Sequence, residues 1–173
     1  MTSTIAFNQL NLKWSDLRTY LFVFIFAVGN LVLPQICHLM PSGGLILLPV
    51  YFFTLIAAYK FGLKVGLVTA LCSPLLNSVL FGMPAMEVLP VILLKSVILA
   101  AAAAYIAGRF QKVSILHLLI VVLTYQLIGS MAEWGITQSF AKATQDLTLG
   151  IPGMLVQVLG GYFLLRKIAD LKL

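Results

Sequence analysis

Residues 91–107 read VILLKSVILAAAAAYIA, an apolar stretch in which Lys95 is the single charged residue. A helix needs about 20 such residues to cross the hydrocarbon of a bilayer, and similar stretches recur along the chain. Of the 173 residues, 61% are hydrophobic and 9% are charged, whereas about 25% are charged in an average soluble domain. The composition therefore predicts an all-α integral membrane protein in which residues 1–173 form one domain.

Proline and glycine residues divide the apolar sequence, because they interrupt helices and form turns. Such interruptions occur at residues 41–44, 82–84 and 150–153. Together with basic turns after the second and fourth apolar runs, they predict a bundle of six transmembrane helices. The predicted helices cover residues 17–33 (continuing toward His38), 45–59, 61–81, 88–109, 113–135 and 152–167. Residues 1–16 precede them as a short lead-in, which we expect to lie on the membrane surface.

Basic residues flank the predicted helices on one side of this topology, and they explain the formal net charge of +6. Lysine and arginine are enriched in cytoplasmic loops of membrane proteins, so we expect both termini, including the lead-in, to be cytoplasmic. This pattern gives no indication of a nucleic-acid partner. The basic residues on this side are Lys13, Arg18, Lys60, Lys64, Arg109, Lys112, Arg166, Lys167 and Lys172. The opposite loops carry Glu87, Lys142 and Asp146.

Strongly polar side chains within the predicted helices fall in the outer half, when depth is counted at about 1.5 Å per residue. Leucine, isoleucine, valine and alanine fill the inner half almost entirely. Because polar atoms are costly in lipid, we expect these side chains to face one pocket between predicted helices 1, 3, 4, 5 and 6. The candidate substrate-binding residues are Asn30, Tyr51, Asn77, Lys95, Gln126, Glu133, Trp134 and Gln157.

These candidates also have structural interpretations. Amide side chains form hydrogen bonds between membrane helices, and Trp134 is typical of an interfacial anchor. Lys95 either faces a ligand, pairs with Glu133 or Glu87, or reaches the outer headgroups, since an isolated cation is costly within a membrane. The sequence leaves these alternatives open.

Small residues recur at four-residue spacing on two predicted helices, which favours close approach of helices in lipid. One face carries Gly62, Gly66 and Ala70, and the other carries Ala100, Ala104 and Gly108. Each face either packs within the bundle or docks another membrane subunit. For docking, the candidates are Ala27, Ala100, Ala104 and Gly108.

The chain lacks a P-loop, a nucleophile elbow and an H-E-x-x-H motif, so we expect neither an enzyme nor a bound cofactor. Cys37 and Cys72 have no metal-ligand spacing, and we expect no disulfide between them and no metal site. We find no pair of interrupted helices that would indicate a midplane transport site. A polar outer pocket above an apolar floor therefore predicts a capture subunit that depends on other proteins for transport.

Several short stretches occur in a characteristic order: LPVY at residues 48–51, GLKVG at 62–66, SPLLN at 73–77, GMP at 82–84, LP at 89–90, and GIPG at 150–153 running to Gln157. On these stretches, residues 45–167 resemble the substrate-binding S component of energy-coupling factor (ECF) transporters. That family imports vitamins and their precursors in bacteria and archaea.

The resemblance implies partners and a location. S components work with a transmembrane coupling (T) subunit and two ATP-binding-cassette ATPases, which use the ATP. They bind a vitamin or precursor outside the cell, then topple in the membrane to release it inside. The resemblance thus implies a multi-pass protein of a bacterial or archaeal cytoplasmic (inner) membrane.

The chain departs from the family at three places. Many relatives have an Ala-x-x-x-Ala docking face in the first helix, which is absent here. Some have histidine in place of Tyr51 and a carboxylate in place of Lys95. A buried cation is best offset by an opposite charge, so Lys95 favours a ligand with a carboxylate or phosphate, unless Glu133 compensates it. The alternatives are a structural or assembly protein without a small ligand, a self-sufficient transporter, and an enzyme that uses Glu133 or His117.

Overall fold

The computed structural model describes residues 4–171 and consists mainly of helices. The apolar runs become helical because main-chain amides and carbonyls in lipid must pair within the chain. In chain order the elements are β1 (Ile5–Ala6), α1 (Leu17–Cys37), α2 (Gly43–Leu47), a 3-10 turn (Pro49–Tyr51), α3 (Phe52–Phe61), α4 (Leu63–Phe81), α5 (Leu89–Phe110), β2 (Lys112–Val113), α6 (Ile115–Thr137), α7 (Phe140–Ala143), α8 (Gln145–Leu149) and α9 (Ile151–Lys167).

Within residues 4–171, four helices are long and apolar enough to cross a membrane: α1, α4, α5 and α6. Residues 140–149 and α9 form a pair bent by 48° that would make a fifth span if counted together, and residues 49–61 form a shorter apolar helix. These lengths fit an α-helical membrane protein. The total of six spans remains a prediction.

The second predicted helix, residues 45–59, is not continuous: it is interrupted between α2 and α3. Pro49 has no amide proton and cannot continue a helical ladder, and Leu48 before it adopts a left-handed conformation with φ 47° and ψ 47°. Side chains from other helices pair with the main chain there. The Oδ1 atom of Asn30 accepts from the amide of Phe53 at 3.2 Å, and Nε2 of Gln157 donates to the carbonyl of Leu48 at 3.5 Å.

A second interruption, at Gly150 between α8 and α9, packs directly on the first. A β-carbon on Gly150 would lie 2.7 Å from Cδ1 of Leu48, and one on Gly153 would lie 2.5 Å from the main chain of Leu47. The two interruptions therefore lie against each other at the distal end. That no pair of interrupted helices in repeated halves marks a midplane transport site stays a prediction. Non-helical main chain is tolerated at membrane depth where protein surrounds it, and here each interruption is covered by the other.

Residues 5–10 of the lead-in are docked into one end of the bundle, and a position of the lead-in at the membrane surface stays a prediction. β1 pairs with β2 in antiparallel register, Phe7 is buried, and Nε2 of Gln9 donates to the carbonyls of Ala58 and Ala104.

We call this end, where the turns after α3 and α5 and the end of α9 meet, the basic end. The other end, with residues 38–48, 82–88 and 138–150, is the distal end. Lys172 lies outside the described residues.

Helix α5 is central, since it packs against α3, α4 and α6. Ala100 and Ala104 are buried on it, as is Ala27 on α1, and Gly66 lies against Ala58 of α3. These small residues therefore bring helices of this chain together. The surfaces of Ala27, Ala100 and Ala104 are covered within this chain in this conformation, whereas Gly108 is exposed beside Gln9. Docking of another subunit on these residues stays a prediction.

Candidate functional site

The candidate polar residues are concentrated in the interior of the distal half. Hydrogen-bonding groups inside a bundle must find partners there, because lipid offers none. Six of the eight candidates are at most 2% exposed: Asn30, Tyr51, Asn77, Lys95, Gln126 and Gln157. They divide into two hydrogen-bonded networks and one ion cluster.

The first network joins α1, α3 and α4. Nδ2 of Asn30 donates to Oγ1 of Thr54 at 3.0 Å and to Oγ of Ser73 at 3.2 Å. Nδ2 of Asn77 donates to the carbonyls of Asn30 at 2.8 Å and Ser73 at 3.0 Å. Ser73 and Asn77 are four residues apart and share a face of α4, as expected from the sequence. Asn30 contacts that face from α1. The network fixes the three helices against the first interruption.

The second network joins α6, α9 and the first interruption. The hydroxyl of Tyr125 donates to Oε1 of Gln157 at 3.0 Å and accepts from Nε2 of Gln126 at 3.1 Å. The rings of Tyr125 and Tyr51 lie 5.1 Å apart, within the range of favourable aromatic pairs. The ring of Tyr51 therefore packs beside the network formed by Tyr125, Gln126 and Gln157.

The ion cluster consists of Lys95 on α5, Glu133 on α6 and Asp146 on α8. Nζ of Lys95 lies 2.6 Å from Oε2 of Glu133 and 2.8 Å from Oδ2 of Asp146. The side chain of Lys95 is 2% exposed, whereas those of Glu133 and Asp146 are 14% and 17% exposed. A cation paired in this way avoids most of the penalty of an isolated charge in a membrane protein.

Local helix geometry directs Lys95 toward the distal end. Side chains on a helix lean toward its N-terminus, and the N-terminus of α5 is at the distal end. The stem of Lys95 crosses α6 at Gly129, where an added β-carbon would lie 2.5 Å from Cγ of Lys95. Glycine is needed here for close approach, and the ammonium thereby reaches Glu133 one turn further along α6.

The expectation of an anionic ligand rested on a Lys95 without a protein counter-charge, and that premise is wrong. Two carboxylates already contact its ammonium. Glu133 compensates Lys95, as one alternative from the sequence allowed, while Asp146 was not anticipated. Glu87 has no ion pair among residues 4–171 and is exposed.

Three buried side-chain oxygens near these networks have no hydrogen-bond partner within residues 4–171. They are Oδ1 of Asn77, Oε1 of Gln126 and Oγ of Ser130. Buried polar atoms are paired in the great majority of cases. Their unused capacity makes this region suited to a ligand that donates hydrogen bonds.

A cavity of about 250 Å³ opens at the distal end between α1, α2, the first interruption, α4 and α5. Its wall is mostly apolar, with Asn77 as a buried polar contribution. Val88 and Ile92 line it, whereas Lys95, three residues beyond Ile92 on α5, is not one of the lining residues. The lining residues are Pro34, His38, Gly44, Leu45, Pro49, Val50, Asn77, Met83, Pro84, Val88 and Ile92.

Trp134 lies apart from the buried networks. It is 53% exposed, and its ring forms an edge contact with Phe140 at 5.8 Å between centroids. This placement fits an anchor at a membrane interface.

Within residues 4–171, no three metal-ligating side chains are grouped to hold an ion, and Cys37 and Cys72 are free thiols.

Sequence reasoning missed Asp146, Tyr125 and Thr54 as members of the site. Asp146 was assigned to an outer loop, and nothing local indicates that the loop folds back onto α5, 51 residues away in sequence. Tyr125 immediately precedes Gln126 in the sequence. Its position at the same depth as a candidate amide could therefore have indicated that it belongs to the site.

Comparison of the chain with models of protein families, with curated proteins and with solved structures gives no match.

Proposed function

We propose that this protein is the substrate-capture S component of an ECF-type importer, with six transmembrane segments and both termini in the cytoplasm of a bacterium or archaeon. It binds a water-soluble vitamin or precursor in the distal, outward-facing half. A T subunit and two ATPases supply the energy from ATP. The observation that carries this proposal is that four buried amides, the Tyr51–Tyr125 pair and the ion cluster all lie in the distal half of the bundle.

The basic half supports a dependence on partners. Its interior is packed with apolar side chains such as Leu55, Leu99, Val121 and Leu165, which are fully buried. The docked lead-in covers the end. Channels and self-sufficient transporters need a hydrophilic route or a site reached alternately from both sides. A subunit with this basic half requires a large rearrangement, driven by other proteins, to release a ligand inward.

Co-expression tests the proposal. The tagged chain is produced with the T subunit and ATPases of the same organism, then purified in mild detergent and assayed for copurification. Reconstituted vesicles are assayed for ATP-dependent uptake of radiolabelled vitamins, with an ATPase variant unable to hydrolyse ATP as control. Absence of both a stable complex and vitamin binding to the purified chain would rule the proposal out.

A structural or assembly protein remains the second candidate, because many of the buried polar groups satisfy one another. This alternative predicts that no water-soluble vitamin raises the thermal midpoint of the purified chain. The distal cavity and the unpaired acceptors favour the first candidate.

A further inference from the structure

Resting on the proposed function, we propose that the distal site selects a ligand with a positively charged nitrogen, either a protonated amine or a cationic ring nitrogen. Glu133 and Asp146 are the groups that face this cation. Lys95 is an internal counter-ion that positions the two carboxylates and does not itself receive the ligand.

The first argument is which charges are accessible. The ammonium of Lys95 is enclosed, with a side chain only 2% exposed, while the carboxylates of Glu133 and Asp146 keep 14% and 17% exposure. A ligand that approaches the cluster therefore meets carboxylate oxygens before it meets the ammonium. Each carboxylate has further acceptor positions beyond the one used by Lys95.

The second argument is the charge balance. One ammonium and two carboxylates leave an excess of one negative charge, and among residues 4–171 no other cation forms an ion pair with either carboxylate. In a partly buried site, a ligand cation offsets this excess, whereas an anion would be placed beside two like charges. The electrostatic preference for a cation follows directly.

The third argument is the unused hydrogen-bonding capacity behind the cluster. Gln126, Ser130 and Glu133 follow one another at helical spacing on α6 and so share a face. In the described part of the chain, Oε1 of Gln126 and Oγ of Ser130 have no hydrogen-bond partner, although Gln126 is fully buried and Ser130 is 7% exposed. An amide oxygen only accepts hydrogen bonds, so this face favours a ligand that donates N–H or O–H groups.

A charge-sorted panel tests the inference on the purified full chain in lipid nanodiscs. Thiamine and pyridoxamine are the cationic probes, pyridoxine and nicotinamide the neutral ones, and biotin, pantothenate and nicotinate the anionic ones. Thermal shift identifies binders, and isothermal titration gives Kd. We expect a cationic probe to bind and the anionic probes to have no effect.

Variants then locate the selectivity. Glu133→Gln and Asp146→Asn each remove the excess negative charge and should weaken cation binding about tenfold or more. Glu87→Gln makes the same chemical change on an exposed loop of the distal end and should leave Kd unchanged. The double variant Glu133→Gln/Asp146→Asn leaves Lys95 unpaired and should lose cation binding altogether. Thermal midpoints without ligand separate loss of binding from loss of folding.

The outcomes separate this inference from the proposed function. Binding of an anionic probe that survives Asp146→Asn would overturn the charge assignment while leaving the capture function in place. Binding of no cationic probe would also overturn it; copurification with a T subunit and ATPases would then still support the proposed function, and its absence would remove both.

Discussion

Asn30 and Phe53 are joined by a hydrogen bond of 3.2 Å from the Phe53 amide to Oδ1 of Asn30. The bond connects α1 to the first turn of α3, directly after the first interruption. The side chain of Asn30 also donates to Thr54 and Ser73 through Nδ2. One amide on α1 therefore supplies an acceptor to the first turn of α3 and a donor to hydroxyls on α3 and α4. The interruption after Leu48 is stable because this partner stands opposite it.

Asn30→Leu should lower the free energy of unfolding by about 1–3 kcal/mol, because it leaves a buried amide without its acceptor. Thermal unfolding of the detergent-solubilised protein, followed by circular dichroism, measures the change. Gln35→Leu on the same helix is the matched control, since Nε2 of Gln35 makes no hydrogen bond among residues 4–171. Equal losses in the two variants would contradict the role assigned to Asn30.

Lys95→Met should destabilise the protein by about 3 kcal/mol, because it leaves two partly buried carboxylates without a counter-charge. Adding Glu133→Gln and Asp146→Asn to this variant should restore most of the loss, since the repulsion is then removed as well. The thermal midpoints of the single and triple variants provide the comparison. If the triple variant is no more stable than Lys95→Met, the ion cluster is not the source of the effect.

Lys60→Met should release the lead-in from the basic end. The fully buried ammonium of Lys60 donates to the carbonyls of Asn8 at 3.0 Å and Ala169 at 2.8 Å, and methionine supplies no donor to either. Hydrogen exchange of residues 5–10 should accelerate about tenfold or more, because their opening free energy falls. Lys167→Met, which removes an exposed lysine of the same end, should leave that exchange unchanged; equal acceleration would contradict the assignment.

Gly153→Ala should disturb the contact between the two interruptions, because the new methyl group would lie 2.5 Å from the main chain of Leu47. We expect a destabilisation of about 1–3 kcal/mol from overpacking. Gly135→Ala is the matched control: apart from its own helix backbone and chain neighbours, no heavy atom of residues 4–171 lies within 4 Å of the added carbon, and alanine favours helix over glycine. A loss of thermal stability in Gly135→Ala as large as in Gly153→Ala would refute the packing argument.

Much of the fold follows from local sequence. The predicted ranges for α1, α4, α5 and α6 agree with the structure to within a few residues, because apolar length and flanking glycine or proline act locally. The interruption after Leu48 was missed although Pro49 was visible, since proline is also common in the first turn of a helix. Its partners, Asn30 and Gln157, come from segments distant in sequence.

The position of the candidate residues along their helices was predicted, and the Lys95–Glu133 pair was one of the stated alternatives. The other pairings were not predicted. Helical rise alone placed Asn77, Gln126 and Gln157 at one level, and they are buried there. Whether Asp146 reaches Lys95 in addition to Glu133 depends on how residues 138–150 fold back over the bundle. That path is set by the packing of Gly150 and Gly153 on Leu48 and Leu47. The periodicity of the local sequence does not predict such contacts.

The docked lead-in has a consequence for how the protein is made. Lys60 joins Asn8, 52 residues before it, to Ala169, 109 residues after it. During synthesis the first of these contacts is available early, whereas the second must wait until α9 has left the ribosome and entered the bilayer. Completion of the basic end is therefore tied to completion of translation. In a nascent chain stalled before α9, Lys60 would lack the carbonyl of Ala169 as an acceptor.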